Sequence, residues 1–402
     1  MVPVTDSDPA TTPREVMIVA GEASGDLHGA NLVRAMREQS PELRFYGMGG
    51  IELERAGVEL LYDAAKLAVV GAVEVFSHLP DILRARRILI ARLRHQRPAL
   101  LILIDYPDFN LMLAKVAKQL GIPVFYYISP QVWAWRSGRV QTIKKRTDRM
   151  AVILPFEQAF YAEHGMQVDF VGHPLLDNIQ PTCTPAQFKA QHHIDPLRPV
   201  IGLIPGSRRK EVAVLLPEFL AAAGLLSAAH PQPIFLLAQA PTIDTALLRE
   251  HGLDRWQQQL DLRVITEDRY AMMAACDVAV AASGTVTLEL AILDTPTVAA
   301  YRISPHTYWL GRLLIRGLPF FTLVNLIADQ AILPELLQSA VTPQRIAQEV
   351  STLLNNAQAR SNMLTGLKEV RQRLGGPGAS KRAAAIAFSL LNTRRQQNGY
   401  QS

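Results

Sequence analysis

The chain has few cysteines and no long apolar run. Two of its 402 residues are cysteines, Cys183 and Cys276, and their wide separation forms no metal-binding or redox motif. This cysteine usage indicates reduced thiols in a cytosolic protein. The longest uncharged run, Phe219–Ile243, is broken by Pro231 and Pro233, so it predicts no membrane-spanning helix. Residues 1–14 lack the basic and apolar regions of a signal peptide, and we expect a disordered leader there.

A strong excess of charge of either sign is also missing. With 41 basic and 36 acidic side chains the net charge is +5, and the isoelectric point is near 9.2. Such a chain suits an anionic partner, but its positive charge is far below that of a dedicated nucleic-acid binder. Apolar residues make up 49% of the sequence, which excludes a disordered or collagen-like protein. The length suggests two or three domains.

Short β-rich runs alternate with helical stretches, which is typical of parallel sheets covered by helices. The predicted strands are 16–20, 45–47, 100–105, 124–128, 150–154, 169–172, 200–204, 234–238, 263–265, 278–281 and 297–301. We therefore predict two doubly wound α/β domains, 15–172 and 200–374, joined by a connector over 173–199. A C-terminal helical segment, 375–402, follows. Because ligands bind beyond the carboxyl ends of such strands, the strand-to-helix loops are the candidate sites.

Two loops of the first domain are candidate sites. The first combines glycines with carboxylates, and the second follows an apolar strand. The loop Gly21–Asp26 lets a backbone approach a ligand, but a plain helix-capping turn with Ser24 or Asp26 as the cap explains it equally well. It matches neither a dinucleotide fingerprint nor a hydrolase elbow. In the second loop, Asp105 lies at a strand end, where a carboxylate can accept a proton from a hydroxyl nucleophile. Asp108 of the same loop is also explained as a helix cap.

A third loop of the first domain contains two tryptophans beside an arginine. Trp133, Trp135 and Arg136 follow the strand 124–128. These side chains suit a sugar ring or a lipid chain. An aromatic pair buried in the core explains the tryptophans equally well.

Two loops of the second domain have the composition of phosphate sites. In the first, Ser207 and Arg208 follow a glycine and precede a helical run, as a diphosphate requires. In the second, free backbone amides at Gly284 and Thr285 are placed to hold phosphate, and Glu289 lies one turn into the following helix. A carboxylate there can accept hydrogen bonds from two ribose hydroxyls. Together the two loops predict a nucleotide site.

Three basic segments suit an anionic surface. The arginines of 84–97 do not fall on one helical face, so a solvated helix explains them as well, and 136–149 contains six basic residues. In Thr307–Leu318, Arg312 and Arg316 form one polar stripe on an otherwise apolar stretch. That segment is predicted to lie at a bilayer surface or to bury against another subunit.

Taken together, these motifs resemble those of the lipid-A-disaccharide synthases, inverting glycosyltransferases of Gram-negative outer-membrane biogenesis. The resemblance runs from Val16 to about Leu390. The matching motifs, in chain order, are Gly21–Asp26, Asp105–Asn110, Ser129–Arg136, Leu154–Glu157, Val171–Pro174, Pro205–Arg208, Ala282–Thr285 and Asn325. One position departs from the family pattern: Tyr106 stands where the family usually has alanine, which leaves both carboxylates of that motif in place.

The resemblance implies the GT-B architecture, with two Rossmann-like domains facing across a cleft. It places the acceptor in the first domain and the nucleotide donor in the second, with a last helix that crosses back. The implied reaction joins UDP-2,3-diacylglucosamine to 2,3-diacylglucosamine 1-phosphate (lipid X) and gives a β-1,6-linked disaccharide 1-phosphate and UDP. The resemblance implies no metal, no cofactor and no nucleic acid. It also implies a cytoplasmic enzyme bound peripherally to the anionic inner membrane, and a homodimer is left open.

Position and resemblance together assign residues to three roles. Asp105 is the predicted general base, and Asp108 is the alternative. The predicted nucleotide and diphosphate ligands are Ser207, Arg208, Gly284, Thr285, Glu289 and, by resemblance alone, Asn325. The predicted acceptor-side residues are Glu22, Ser24, Trp133, Trp135 and Arg136.

Two other functions fit part of the pattern. One is a UDP-N-acetylglucosamine 2-epimerase or another GT-B enzyme with a soluble acceptor, against which the apolar and basic surface segments argue. The other is a non-catalytic nucleotide- or lipid-binding protein, against which a carboxylate beside a nucleotide site argues. Detergent dependence of activity separates the first from a lipid enzyme, and release of UDP separates the second.

Overall fold

The chain folds into two compact α/β units. The computed structural model describes residues 14–67, 79–135, 137–302 and 319–399, except for the side chains of Trp135 and of 393–399. The first unit runs to Pro174 and resumes at Gly376, and the second is Leu175–Gly375. The predicted leader therefore lies almost wholly outside the described residues.

The first unit contains a seven-stranded parallel sheet, with the strands in the order β3-β2-β1-β4-β5-β6-β7. The strands are β1 (Glu15–Ala20), β2 (Arg44–Gly49), β3 (Glu59–Asp63), β4 (Leu100–Ile104), β5 (Val124–Tyr127), β6 (Arg149–Val152) and β7 (Asp169–Phe170). The central strands β1, β4 and β5 are apolar at every position except Glu15, because helices cover both faces. Along β1, Met17 and Val19 enter one core while Val16 and Ile18 enter the other.

Eight helices described in the first unit surround this sheet. They are α1 (Ala23–Gln39), α2 (Ile51–Arg55), α3 (Leu79–Gln96), α4 (Pro107–Gln119), α5 (Val132–Trp135), α6 (Val140–Arg146), α7 (Glu157–Glu163) and the C-terminal α18 (Ala379–Gly399). The C-terminal helix joins this unit because its small residues Ala383, Ala384 and Ala387 are fully buried in the core that α1 shares.

The second unit contains a six-stranded parallel sheet in the order β10-β9-β8-β11-β12-β13. Its strands are β8 (Val200–Ile204), β9 (Ile234–Ala238), β10 (Leu262–Ile265), β11 (Val278–Ala282), β12 (Thr297–Tyr301) and β13 (Glu335–Leu337). Its helices are α8 (Leu175–Asn178), α9 (Pro185–Gln191), α10 (Arg209–Ala229), α11 (Thr245–Glu250), α12 (Leu253–Gln257), α13 (Arg269–Ala275), α14 (Thr285–Ile292), α15 (Leu323–Ala328), α16 (Pro343–Asn355) and α17 (Ala357–Arg373).

The segment predicted as a connector is largely part of the second unit. Its helix α9 begins with a capping box at Thr184. Phe188 of α9 is buried in the same core as Val200 and Ala271. The apolar contacts of this helix therefore attach 175–199 to the second sheet.

Within the part of the chain that the structure describes, one helix, α10, is long and apolar enough to cross a membrane by length and composition. Pro217 interrupts it, and Leu216, Phe219 and Leu220 on its inner face are fully buried against the rest of the unit. These features are those of the core helix of a folded domain.

Candidate functional site

Asp105 leaves β4 at the carboxyl edge of the first sheet. The predicted strand ended at Asp105, but the observed strand ends at Ile104. Asp105 and Tyr106 then both adopt left-handed backbone conformations, with φ of 44° and 46°. Side chains of L-residues seldom take this conformation, and such residues cluster at functional sites. The turn points the chain out of the sheet just before α4.

The Asp105 carboxyl is largely buried, and this burial raises its pKa to about 6. The negative charge of Glu22 contributes to this rise in pKa, and a hydrogen bond from the Tyr106 backbone opposes it. A carboxylate with a pKa near neutrality is well matched to accepting a proton from a hydroxyl. Asp108 differs: it is exposed, and its carboxylate accepts a hydrogen bond from Arg139 at 2.5 Å. Asp108 therefore lies in an exposed ion pair, whereas the Asp105 carboxyl is largely buried.

The predicted Gly21–Asp26 loop lies beside Asp105, since β1 pairs with β4. Helix α1 begins at Ala23, so most of this motif is the first turn of a helix. A Cβ at Gly21 would lie 2.4 Å from the Tyr106 ring, which explains the glycine. Glu22 and Ser24 are exposed.

Asp26 was expected to cap α1, but its side chain interacts with α2. Its carboxylate is buried and accepts hydrogen bonds from the backbone N–H groups of Gly50 at 2.6 Å, Glu52 at 2.9 Å and Leu53 at 3.2 Å. It therefore caps α2, and neither Asp26 nor Ser24 caps α1, which has no side-chain cap.

The tryptophan loop packs on the Leu154–Glu157 motif. The half-buried Trp133 ring meets the Phe156 ring edge-on, with the centroids 4.9 Å apart. Glu157 is fully buried, and its carboxylate accepts hydrogen bonds from the backbone of Ile153 and Leu154. Burial raises the pKa of Glu157 to about 7. Arg136 and the side chain of Trp135 lie outside the described residues.

The second unit contains a pocket of about 250 Å³ at the carboxyl edge of its sheet. Five of the predicted nucleotide ligands line it: Ser207, Arg208, Gly284, Thr285 and Glu289. Gly206 has φ of 113°, and a Cβ there would meet the Glu211 carboxylate at 2.8 Å. By contrast, a Cβ at Gly284 would meet nothing within 4 Å, so the backbone there faces open space at the start of α14. A ligand phosphate can approach this backbone closely.

Glu289 forms the buried acidic side of the pocket. Burial raises its pKa, and the positive charge of Arg269 opposes that rise. The Arg269 guanidinium lies 3.3 Å from the Glu289 carboxylate and also lines the pocket. Sequence reasoning missed Arg269, although it follows β10 just as the predicted loops follow their strands. The same position rule would have found it.

Comparison with known proteins shows which family the chain resembles. A family model described as lipid-A-disaccharide synthetase matches residues 16–388. The chain is 44% identical over 382 residues to the lipid-A-disaccharide synthase of Geobacter metallireducens, covering 95% of this chain and 98% of that one. It is 47% identical over 376 residues to the enzyme of that name from Syntrophus aciditrophicus, covering 94% and 97%.

The chain belongs to the lipid-A-disaccharide synthase family. The predicted resemblance is confirmed, and the chain is a glycosyltransferase by family membership.

Solved structures that resemble this family member show its fold alone, because their sequences are distant. MurG of Acinetobacter baumannii is 15% identical, with a TM-score of 0.58 and coverage of 94% of this chain and 100% of that one. The calicheamicin glycosyltransferase CalG4 is 16% identical, with a TM-score of 0.61 and coverage of 95% and 99%. The two parallel-sheet units therefore form a GT-B fold, as predicted. A UDP-GlcNAc 2-epimerase of Neisseria meningitidis shares the fold at 10% identity and a TM-score of 0.58, covering 94% and 100%, and so does not support the epimerase alternative.

Asn325 is not among the residues that line the pocket of this synthase-family chain. Its side-chain amide is buried, donates to the Leu333 carbonyl and the Glu335 carboxylate, and accepts from the N–H groups of Ile332 and Leu333. The structure thus uses this amide to hold the loop before β13. A place for Asn325 near the nucleotide stays a prediction by resemblance.

No group of three or more His, Cys, Asp or Glu side chains placed to hold a metal ion is found among the described residues.

Proposed function

We propose that this chain condenses UDP-2,3-diacylglucosamine with 2,3-diacylglucosamine 1-phosphate to give the β-1,6-linked disaccharide 1-phosphate and UDP. The observation that carries the proposal is the pocket of the second unit, which combines Arg208, the first turn of α14 and the buried Glu289. Arginine and helix amides suit a diphosphate, and a buried carboxylate suits two ribose hydroxyls. Family membership supplies the identity of the two sugars.

The reaction is a single displacement with inversion. Asp105 accepts the proton of the acceptor 6-hydroxyl while that oxygen attacks the anomeric carbon of the donor. The bond from the anomeric carbon to the diphosphate breaks, and its electron pair leaves with UDP. Ser207, Arg208 and the amides at the start of α14 stabilise the charge that develops on the diphosphate. The proposal uses no metal, so a chelator is expected to leave the rate unchanged.

The raised pKa of Asp105 predicts the pH dependence of the reaction. Asp105 acts as a base only when ionised, and its pKa lies at about 6 rather than at the ordinary value of 3.8. We therefore expect kcat/KM to fall tenfold for each pH unit below about 6. A profile that stays flat down to pH 4.5 or so would contradict Asp105 as the base.

Acceptor-dependent release of UDP tests the proposed function. The purified chain is mixed with the UDP-sugar alone and then with both diacyl sugars, and UDP is measured. We expect release only when both are present. Release from the UDP-sugar alone indicates hydrolysis of the donor. No release in either mixture favours a binding protein or an epimerase, whose product is still a UDP-sugar.

We also propose that the enzyme works at the surface of the inner membrane. Both substrates carry acyl chains, and each buried methylene contributes about 0.8 kcal/mol to staying in the bilayer. On α3, Leu79 and Leu83 are exposed beside Arg84, Arg87 and Arg94. The basic stretch near Arg146 is a weaker candidate, since its guanidinium donates to the Leu111 carbonyl at 3.0 Å. The segment Thr307–Leu318 lies outside the described residues.

Vesicle sedimentation tests this attachment. We expect binding to anionic vesicles that weakens as salt rises, because each Lys or Arg near an anionic surface contributes about 1 kcal/mol. The double variant Trp309→Ser, Leu313→Ser is expected to bind less at high salt, where apolar contact dominates. If vesicle binding changes neither with salt nor in the double variant, Thr307–Leu318 does not attach the enzyme to the membrane. A changed oligomer mass with unchanged vesicle binding would instead assign that segment to a subunit interface.

A further inference from the structure

The backbone turn that carries Asp105 contains no glycine. Asp105 and Tyr106 are both left-handed, which is rare for two consecutive residues with side chains. The strand β4 gives no reason to bend here, because its carboxyl end is fully buried and regularly paired with β1 and β5. Contacts from elsewhere in the unit must therefore hold the turn.

Two buried side chains converge on the carbonyl of Asp105. The Asn110 amide, in the first turn of α4, donates to this carbonyl at 2.7 Å and to the Ile104 carbonyl at 3.0 Å. The Tyr126 hydroxyl, on the neighbouring strand β5, donates to the same Asp105 carbonyl at 2.5 Å. Both side chains are fully buried. The carbonyl is thus fixed from a helix on one side and from a strand on the other.

Neither helix α4 nor strand β5 requires the polar side chain that it carries here. An asparagine in the first turn of a helix ordinarily accepts hydrogen bonds from backbone N–H groups, whereas the Asn110 amide donates to carbonyls. Phenylalanine would fill the core position of Tyr126 without a hydroxyl to satisfy. The fold instead directs two buried polar groups to one carbonyl, and this carbonyl belongs to the residue proposed as the base.

We propose that Asn110 and Tyr126 are positioning residues that hold the Asp105 carboxylate in its reactive orientation. This rests on the proposed role of Asp105 as the general base. The two donors fix the peptide plane that follows the Asp105 Cα, and so fix the direction of its side chain. They act through the backbone and do not touch the substrate. Misplacement of a reacting group by about 1 Å lowers turnover by up to about 100-fold.

The hydrogen bonds to the Asp105 carbonyl also affect how much solvent reaches the Asp105 carboxylate. Charged and titratable groups lie near it from two other elements: Glu22 before α1 and Tyr126 on β5. Burial is the largest cause of its raised pKa, followed by Glu22. If the turn loosens, the carboxylate gains solvent and its pKa falls. The acidic limb of the activity profile then moves to lower pH.

The variant Tyr126→Phe tests the proposal because it removes one oxygen and keeps the ring. We expect kcat to fall roughly 10-fold with KM changed less than about 2-fold, and the acidic limb to move down by at least about 0.5 pH unit. Tyr46→Phe is the matched control, since the Tyr46 hydroxyl is buried in the same core and has no hydrogen-bond partner among the described residues. A loss of folded protein lowers the amplitude of the profile but does not move its midpoint.

A double variant separates this role from the proposed function. In Asp105→Asn, adding Tyr126→Phe is expected to cause no further loss of turnover, because the residue acts only through Asp105. An unchanged midpoint in Tyr126→Phe, or a further loss in the double variant, would overturn the positioning role alone. Near-normal turnover in Asp105→Asn itself would overturn the base assignment. If Tyr126→Phe does not fold, the midpoint of the acidic limb in Asn110→Ser tests the positioning role instead.

Discussion

Asp105→Asn is expected to lower turnover by roughly 10²-fold to 10⁴-fold, the range for loss of a general base. The amide has the same size as the carboxylate but cannot accept the proton of the acceptor hydroxyl. Binding of UDP is expected to stay unchanged, because the proposed nucleotide ligands lie in the second unit. Steady-state kinetics with both substrates and calorimetry with UDP measure the two effects separately.

Asp108→Asn is the matched control for this variant. Its carboxylate is exposed and paired with Arg139, so we expect turnover within about threefold of the unchanged chain, as for the loss of an exposed ion pair. If Asp105→Asn retains near-normal turnover while Asp108→Asn loses it, the assignment of the base is wrong and Asp108 takes the role.

Substitutions in the nucleotide pocket are expected to separate phosphate from ribose recognition. Arg208→Ala should weaken binding of UDP by about 10-fold to 100-fold and leave uridine nearly unaffected, because a charge-assisted hydrogen bond contributes about 1.5–3 kcal/mol. Glu289→Ala should weaken both ligands by a similar factor, since both carry the ribose. Calorimetric titration of each variant with UDP and uridine checks these expectations.

Arg209→Ala is the control for the arginine. It is the next residue in the chain, is paired with Asp244 at 2.5 Å, and does not line the pocket. Its loss should change neither affinity. Equal losses for UDP and uridine in Arg208→Ala would remove the phosphate role, and unchanged uridine binding in Glu289→Ala would remove the ribose role.

The buried strands of both sheets could be predicted from sequence because they are continuous apolar runs. Every predicted strand is present, with ends within two residues of those expected. The strands β3 and β13 were missed because both lie at sheet edges and carry charged residues such as Glu59 and Glu335. The break between α16 and α17 was also missed. There Asn356 caps the second helix by accepting from the Ala359 N–H, without any glycine or proline to mark the boundary.

In the candidate site, some residues could be predicted from the local sequence, and others depend on tertiary contacts. Gly284 and Glu289 follow a clear strand-to-helix signal, and the structure brings both to one pocket. The left-handed turn at Asp105 could not be predicted, because the hydrogen bonds to its carbonyl depend on tertiary structure: Asn110 donates from the following helix and Tyr126 from the neighbouring strand. Likewise, the amide of Asn325 is occupied by a loop whose path depends on packing around β13.

Mass analysis of the product formed from UDP-2,3-diacylglucosamine and 2,3-diacylglucosamine 1-phosphate tests the proposed condensation. We expect a single new species whose mass is the sum of the two substrates less that of UDP, and none when either substrate is left out. Recovery of both sugars unchanged, or of a UDP-free monosaccharide without the acceptor attached, would contradict it.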